Sequence, residues 1–204
     1  MFICAVLYAL PIAALFHVYP GSPAVLKAFV DKASYTGMVT RSYTQWLDMN
    51  KRYYGQDLVS LEDIGLPNIL NTSPRFITAI NFAVNNIAYA HDDVTYGPVE
   101  YFATPREMLR NGQGDCEDYA ILKMHMLLAA GYPGEHMYLV VGLYTQWHGE
   151  VGGHAVLVIR DDQDHLWVLD NMRNSIIPLE QYKQFEPIAA MNWDGFVLMG
   201  TLQH

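Results

Sequence analysis

Positive charge is scarce in this sequence. Twelve Lys and Arg stand against 21 Asp and Glu in 204 residues, giving a formal net charge of -9 and a pI near 5.2. Nucleic-acid binding needs a basic face for phosphate contacts, and this composition argues against it. An acidic chain can still hold a cation. Cysteine is scarcer still, with Cys4 and Cys116 alone. No internal repeat or low-complexity tract is visible, which removes solenoid arrays from consideration. A hydrophobic content of 51% with 13% aromatics supports a sizeable core and excludes a disordered chain. The length suits one domain, or one domain with a short N-terminal extension.

The apolar run at residues 2–16 has the character of a signal-peptide core. It is short for a membrane span and is interrupted by Pro11. No Lys or Arg precedes it, so the usual positive leader charge is missing. The expectation is an export or anchor segment over residues 1–24, a domain over residues 25–204, and a periplasmic location. A buried first helix is the alternative. If the segment is removed, Cys116 is the remaining thiol. It then cannot form an intramolecular disulfide and is either idle or reactive.

Tyr43, Trp46, Leu47, Met49 and Tyr53 recur at near-helical spacing and predict a helix around residues 40–54. Ser73-Pro74 opens a second helix, expected to run towards Tyr89. Thr104-Pro105-Arg106-Glu107 reads as a capping box with proline at the first helical position. Asp115 caps a longer helix whose apolar face is Ala120, Ile121, Met124, Leu127 and Leu128, closed by Gly131 and Pro133. Strands are expected over residues 137–143, 154–159, 166–170 and 196–199. Helices first and strands after predict an α+β fold, with an antiparallel sheet packed on helices.

Cys116 falls in the first turn of its helix, after Gly112-Gln113-Gly114. A helix N-terminus carries partial positive charge and free N–H groups, which stabilise a thiolate and a developing oxyanion. Placement alone fits a buried structural cysteine equally well. A hairpin centred on Asp162 would set His154 directly opposite Asp170, with Cβ atoms about 4.5–5.5 Å apart. The carboxylate would then fix the imidazole tautomer, and a one-residue slip would break the pair. The alternative is a strand-end histidine satisfied by a carbonyl. His91, His125, His136, His148 and His165 lack such a partner in sequence, and none forms a zinc pattern with Cys116. Trp147 and Trp193 are expected to be buried.

The string Gly114-Asp115-Cys116-Glu117-Asp118-Tyr119-Ala120 resembles the hallmark of the bacterial transglutaminase-like cysteine peptidases of the LapG type. Tyr101-Phe102-Ala103-Thr104-Pro105-Arg106-Glu107 resembles that family's upstream segment, with Phe102 where a Trp is expected. Val84-Asn85-Asn86-Ile87 resembles its preceding helix. His154-Ala155-Val156-Leu157 and Val168-Leu169-Asp170-Asn171 resemble its histidine and aspartate blocks. Together these cover about residues 75 to 175. The resemblance implies a papain-like, transglutaminase-like core, with Cys116 as nucleophile, His154 as base and Asp170 as the orienting residue.

It also implies calcium at Asp115 and Glu117. Asp118 completes three carboxylates around Cys116, and calcium's need for six to eight oxygens calls for help from carbonyls, water, Asp92 or Asp93. Acidic residues in a first helical turn are otherwise explained by the dipole and capping. The implied substrate is a large surface adhesin, cut near its N-terminus at a di-alanine site. The implied partner is an inner-membrane receptor that senses cyclic di-GMP. Two rival functions share the residues: a transglutaminase-type acyltransferase, and a non-catalytic binding module of the same fold.

Overall fold

The computed structural model describes residues 33–54, 56–97, 100–193 and 195–198. The expected leader over residues 1–24, and the start of the domain at residue 25, lie outside the described residues. Helix α1, Ala33–Tyr53, begins before the expected residue 40 and buries Trp46, Met49 and Tyr53 at helical spacing. Helix α2, Pro74–Asn85, is capped by the Ser73 hydroxyl, which accepts the Phe76 N–H at 3.4 Å. It ends earlier than expected. Ala88–Tyr89 leave the helix as strand β1, which pairs in parallel with β2, Gln113–Gly114. A short turn of helix, α3, spans Asp92–Thr95. Helix α4, Pro105–Asn111, carries the predicted capping box: Thr104 N–H donates to Glu107 Oε2 at 2.8 Å, and Glu107 N–H to Thr104 Oγ1 at 3.2 Å.

Helix α5, Cys116–Ala129, departs from the expected one-sided amphipathic pattern. Every residue from Glu117 to Leu127 is buried, and Leu128 is exposed. The cause is its place between the sheet and helices α2 and α4, so that it has no solvent face to spare.

The main sheet is antiparallel, in the order β6-β5-β4-β3-β7-β8. Its strands are β3 Met137–Thr145, β4 Val151–Arg160, β5 Leu166–Leu169, β6 Ile177–Pro178, β7 Phe185–Asn192 and β8 Gly195–Leu198. Alternation divides the core. Leu139, Val141, Ala155, Leu157 and Ile159 face the helices, while Val140, Val156, Val158 and Tyr182 form a smaller cluster on the other face.

Two details of the sheet position the site. The β4–β5 pairing matches Leu157 with Leu169 and Val158 with Val168, which centres the hairpin on Gln163 and not on Asp162. The turn is organised by Asp161, whose carboxylate accepts from the N–H groups of Gln163 and His165 and from the Trp167 indole, each at 2.9 Å. His154 and Asp170 are therefore diagonal neighbours and not directly opposed. An offset of two residues keeps both on the same face, where an offset of one would have separated them. The second detail is Gly142, which pairs with His154 and sits at a register shift between β3 and β7. A Cβ there would lie 2.3 Å from the Glu186 carbonyl oxygen and 2.8 Å from the Phe185 ring. Gly142→Ala should destabilise the protein by about 1–3 kcal/mol through overpacking. Thermal denaturation checks this, and an unchanged Tm would refute the close fit.

Candidate active site

Cys116 opens α5, and Gly114 just before it leaves room for the Asp118 side chain. A Cβ on Gly114 would lie 2.7 Å from Asp118 Oδ2 and 2.9 Å from Asp118 Cβ. Asp118 uses that space to accept the Asp115 N–H at 3.4 Å, closing the helix start. The partly buried Cys116 sulfur touches two groups: Glu117 Oε2 at 3.1 Å, and the backbone N–H of Ala155, the residue after His154. The helix tip therefore meets β4 one residue from the imidazole. The expectation of a lowered thiol pKa is not met. Burial, then the charges of Glu117 and Asp115, push the thiol well above its usual value, against the smaller opposing effect of the Ala155 N–H.

His154 Nε2 bonds Asp170 Oδ1 at 3.0 Å, with the imidazole largely and the carboxylate wholly shielded from solvent. The ring packs between Tyr144 and Phe185, at centroid distances of 5.5 and 6.1 Å. Asp170 also accepts from the Met172 N–H at 3.1 Å and from the Tyr182 hydroxyl, and Arg173 Nε lies 3.8 Å away. Burial alone would raise this carboxyl. Hydrogen bonds and charge from His154, with the Tyr182 and Met172 donors, outweigh it and hold Asp170 below the usual range. The backbone here is fixed from α2: Asn85 Nδ2 donates to the Asp170 and Arg173 carbonyls at 3.0 Å each, and Asn81 Nδ2 to the carbonyls of Arg173 and Asn174.

Beside the thiol lies a set of buried acids. Oxygens of Asp92, Asp115 and Asp118 come within 4.8 Å of one another, and Asp115, Cys116 and Glu117 form a second such group. Asp92 Oδ1 and Asp115 Oδ1 are buried without a hydrogen-bond partner. Burial is the first cause raising all four carboxyls; negative charge adds to it, from Glu100 and Asp93 at Asp92 and from within the cluster at Asp115, Glu117 and Asp118. Asp92 joins this cluster from α3, whereas Asp93 is exposed. Clustered hard oxygens with unspent acceptors fit a calcium-type cation.

Residues 39–186 match the family model of the bacterial transglutaminase-like cysteine proteinases, BTLCP. The chain belongs to this family. Among solved structures, this BTLCP member is similar to LapG of Legionella pneumophila. Against the calcium-bound form it is 25% identical over 60% of this chain and 66% of that one, with a TM-score of 0.53. Against the EGTA-treated form it is 24% identical over 63% of this chain and 68% of that one, with a TM-score of 0.54. The match to the calcium-bound LapG spans slightly less than two thirds of that chain. No curated protein matches.

Several residues around the BTLCP site escaped sequence reasoning. Lys123 is fully buried two turns beyond Cys116, its Nζ has no hydrogen-bond partner, and burial lowers its pKa to about 7 against the pull of Asp170. Its signal was a lone cation between Leu122 and Met124. Asn81 and Asn85 were legible as a polar i,i+4 pair on an apolar helix. Nothing in sequence flagged Tyr182. His125, expected to be packed or solvent-facing, is packed between Tyr53 and Trp193, and burial lowers its pKa to about 4. Trp193 packs on Trp46 as expected, whereas Trp147 is 92% exposed at the tip of the β3–β4 hairpin.

Proposed function

We propose that this chain is a cysteine endopeptidase in which Cys116, His154 and Asp170 form the catalytic triad. The observation that carries the reading is the 3.0 Å His154–Asp170 bond, with His154 on the strand β4 against which the helix opened by Cys116 packs. Asp170 occupies Nε2, which leaves Nδ1 to exchange a proton with the thiol. In the cycle, His154 takes the Cys116 proton and the sulfur attacks a peptide carbonyl. The Cys116 N–H stabilises the oxyanion, and His154 protonates the leaving amine. Water, deprotonated by His154, then releases the acyl group. Mass spectrometry of peptides incubated with the protein tests this. Cleaved chains support it, while cross-linked products would indicate acyl transfer to an amine.

We further propose that calcium sits among Asp115, Glu117 and Asp118, with Asp92 as a fourth carboxylate. When bound, the cation supplies the positive charge that offsets the carboxylates now raising the thiol pKa. The Legionella relative in calcium-bound form supports this reading. Activity should fall at least tenfold in EGTA and return with added calcium; indifference to both refutes the site. Stability gives a second measurement. Carboxyls with raised folded pKa values stabilise the metal-free fold fully below their unfolded values, about 4, and lose that contribution as pH rises through the folded values. In EGTA, Tm should therefore drop as pH climbs from 5 to 8, and calcium should flatten the drop.

The biological setting we propose is the periplasm. The substrate is the N-terminal region of a large surface adhesin, and a cyclic di-GMP-sensing inner-membrane receptor sequesters the enzyme. Incubation with an adhesin fragment and with the receptor's periplasmic part tests both; no cleavage and no complex would reject them.

A further inference from the structure

Burying an ammonium group is expensive, and α5 does so at Lys123. The side chain is 0% exposed between Leu122 and Met124, and its Nζ has no hydrogen-bond partner. The ring of Tyr119, one turn back on the helix, has its centroid 5.9 Å from the Nζ, at the outer limit of a cation–π contact. A methionine of similar length would avoid the cost. Lys123 also shares its helix with Cys116, two turns away or about 10 Å along the axis.

The charge that acts on this ammonium is that of Asp170. Helix α5 is packed by β3, β4, α2 and α4, whose other titratable groups are engaged elsewhere. Arg75 and Arg110 are exposed. Arg106 pairs with Asp63, Glu107 with Arg52 and Arg160 with Asp164. Tyr138 and Tyr144 pack against the smaller cluster on the other face of the sheet, and His154 lies against Tyr144 and bonds Asp170. On α5 itself, Cys116, Glu117 and Asp118 belong to the first turn, and His125 packs between Tyr53 and Trp193. Asp170 is gripped more strongly by His154, Tyr182 and Met172, with Arg173 Nε 3.8 Å away. Lys123 is therefore a bias on that carboxylate and not a bond to it. Burial lowers the lysine to about 7 against the pull of Asp170, so its charge persists through the mildly acidic range.

A second cation near one carboxylate disfavours the imidazolium that the carboxylate supports. We propose that Lys123 is a positioning residue of the proteolytic site and acts through Asp170: its charge draws on that carboxylate and so loosens the proton that His154 takes up and must release in each cycle. The inference rests on the endopeptidase reading. It gives the buried ammonium a role that a methionine could not fill, at the expense of stability.

Lys123→Met keeps the length of the side chain and removes its charge. For this variant and the wild type, kcat/KM is followed against pH on a synthetic peptide that the wild type cleaves, and the His154 ring is titrated by NMR. The expected result is a Tm at or above that of the wild type, with the acid limb of the profile and the His154 midpoint both raised by about half a pH unit. On the acid limb kcat/KM should then fall about threefold, and near the optimum it should hold. A lysine that only supported structure would lower activity by one factor at every pH. An unmoved midpoint or an unmoved limb overturns the proposal. So does a methionine variant that melts well below the wild type, which would make the ammonium a structural support. A wild type that cleaves no peptide sinks the endopeptidase reading, while the His154 midpoint still decides whether Lys123 acts on that ring.

Discussion

Cys116→Ala should abolish peptide cleavage, with a loss on the order of 10⁴-fold or more in kcat, and leave the fold intact. Alanine removes the only atom able to form the acyl-enzyme. It keeps the helix start, because the Asp115 N–H to Asp118 bond and the glycine before it are untouched. The sulfur's contacts are one carboxylate and one backbone N–H, so stability should change by no more than about 1–2 kcal/mol. Kinetics on a cleaved peptide, with thermal denaturation alongside, make the comparison. Residual turnover within tenfold of wild type would remove Cys116 from the mechanism.

Asp170→Asn should lower kcat about 10³–10⁴-fold, mostly through the imidazole. An amide cannot accept from His154 Nε2, the Met172 N–H and the Tyr182 hydroxyl at once, since one of its two polar atoms is a donor. The ring then loses the negative charge that stabilises its protonated form. The same mismatch leaves a buried donor unsatisfied and should cost about 1–3 kcal/mol of stability. Because Asp170 is held below the usual carboxylate range, the wild type has this stabilisation above the unfolded pKa, about 4, and loses it as pH falls through the folded value. The asparagine variant should lack that acid-dependent loss. A variant with near-wild-type kcat would show that Asp170 holds structure and not the base.

The local signals were legible because they are local. Ser73-Pro74, the Thr104 capping box and the Asp115 helix start each satisfy backbone groups within four residues, and each appears where the sequence places it. The α+β order and the pairing of His154 with Asp170 were also readable. The register was not. It depends on how Asp161 gathers three donors across a turn, and that carboxylate's choice of partners is invisible in a residue string. The end of α2 escaped because Ala88 and Tyr89 answer to Gln113 and Gly114, well removed along the chain. The thiol's environment was misjudged for a different reason. A helix N-terminus favours a thiolate, but burial, which depends on the whole fold, and the charges of the neighbouring Glu117 and Asp115 weigh more.

The hydroxyl of Tyr182 reaches back to the Asp170 carboxylate from the far side of β6, while Asn81 and Asn85 hold the same turn from α2. The working unit is consequently longer than the stretch that encodes its three reactive residues. A fragment trimmed shortly after residue 175 would retain nucleophile, base and acid in its text and still lose the anchor that aims them. Truncation at that point should leave a protein that reads as an enzyme and does not behave as one.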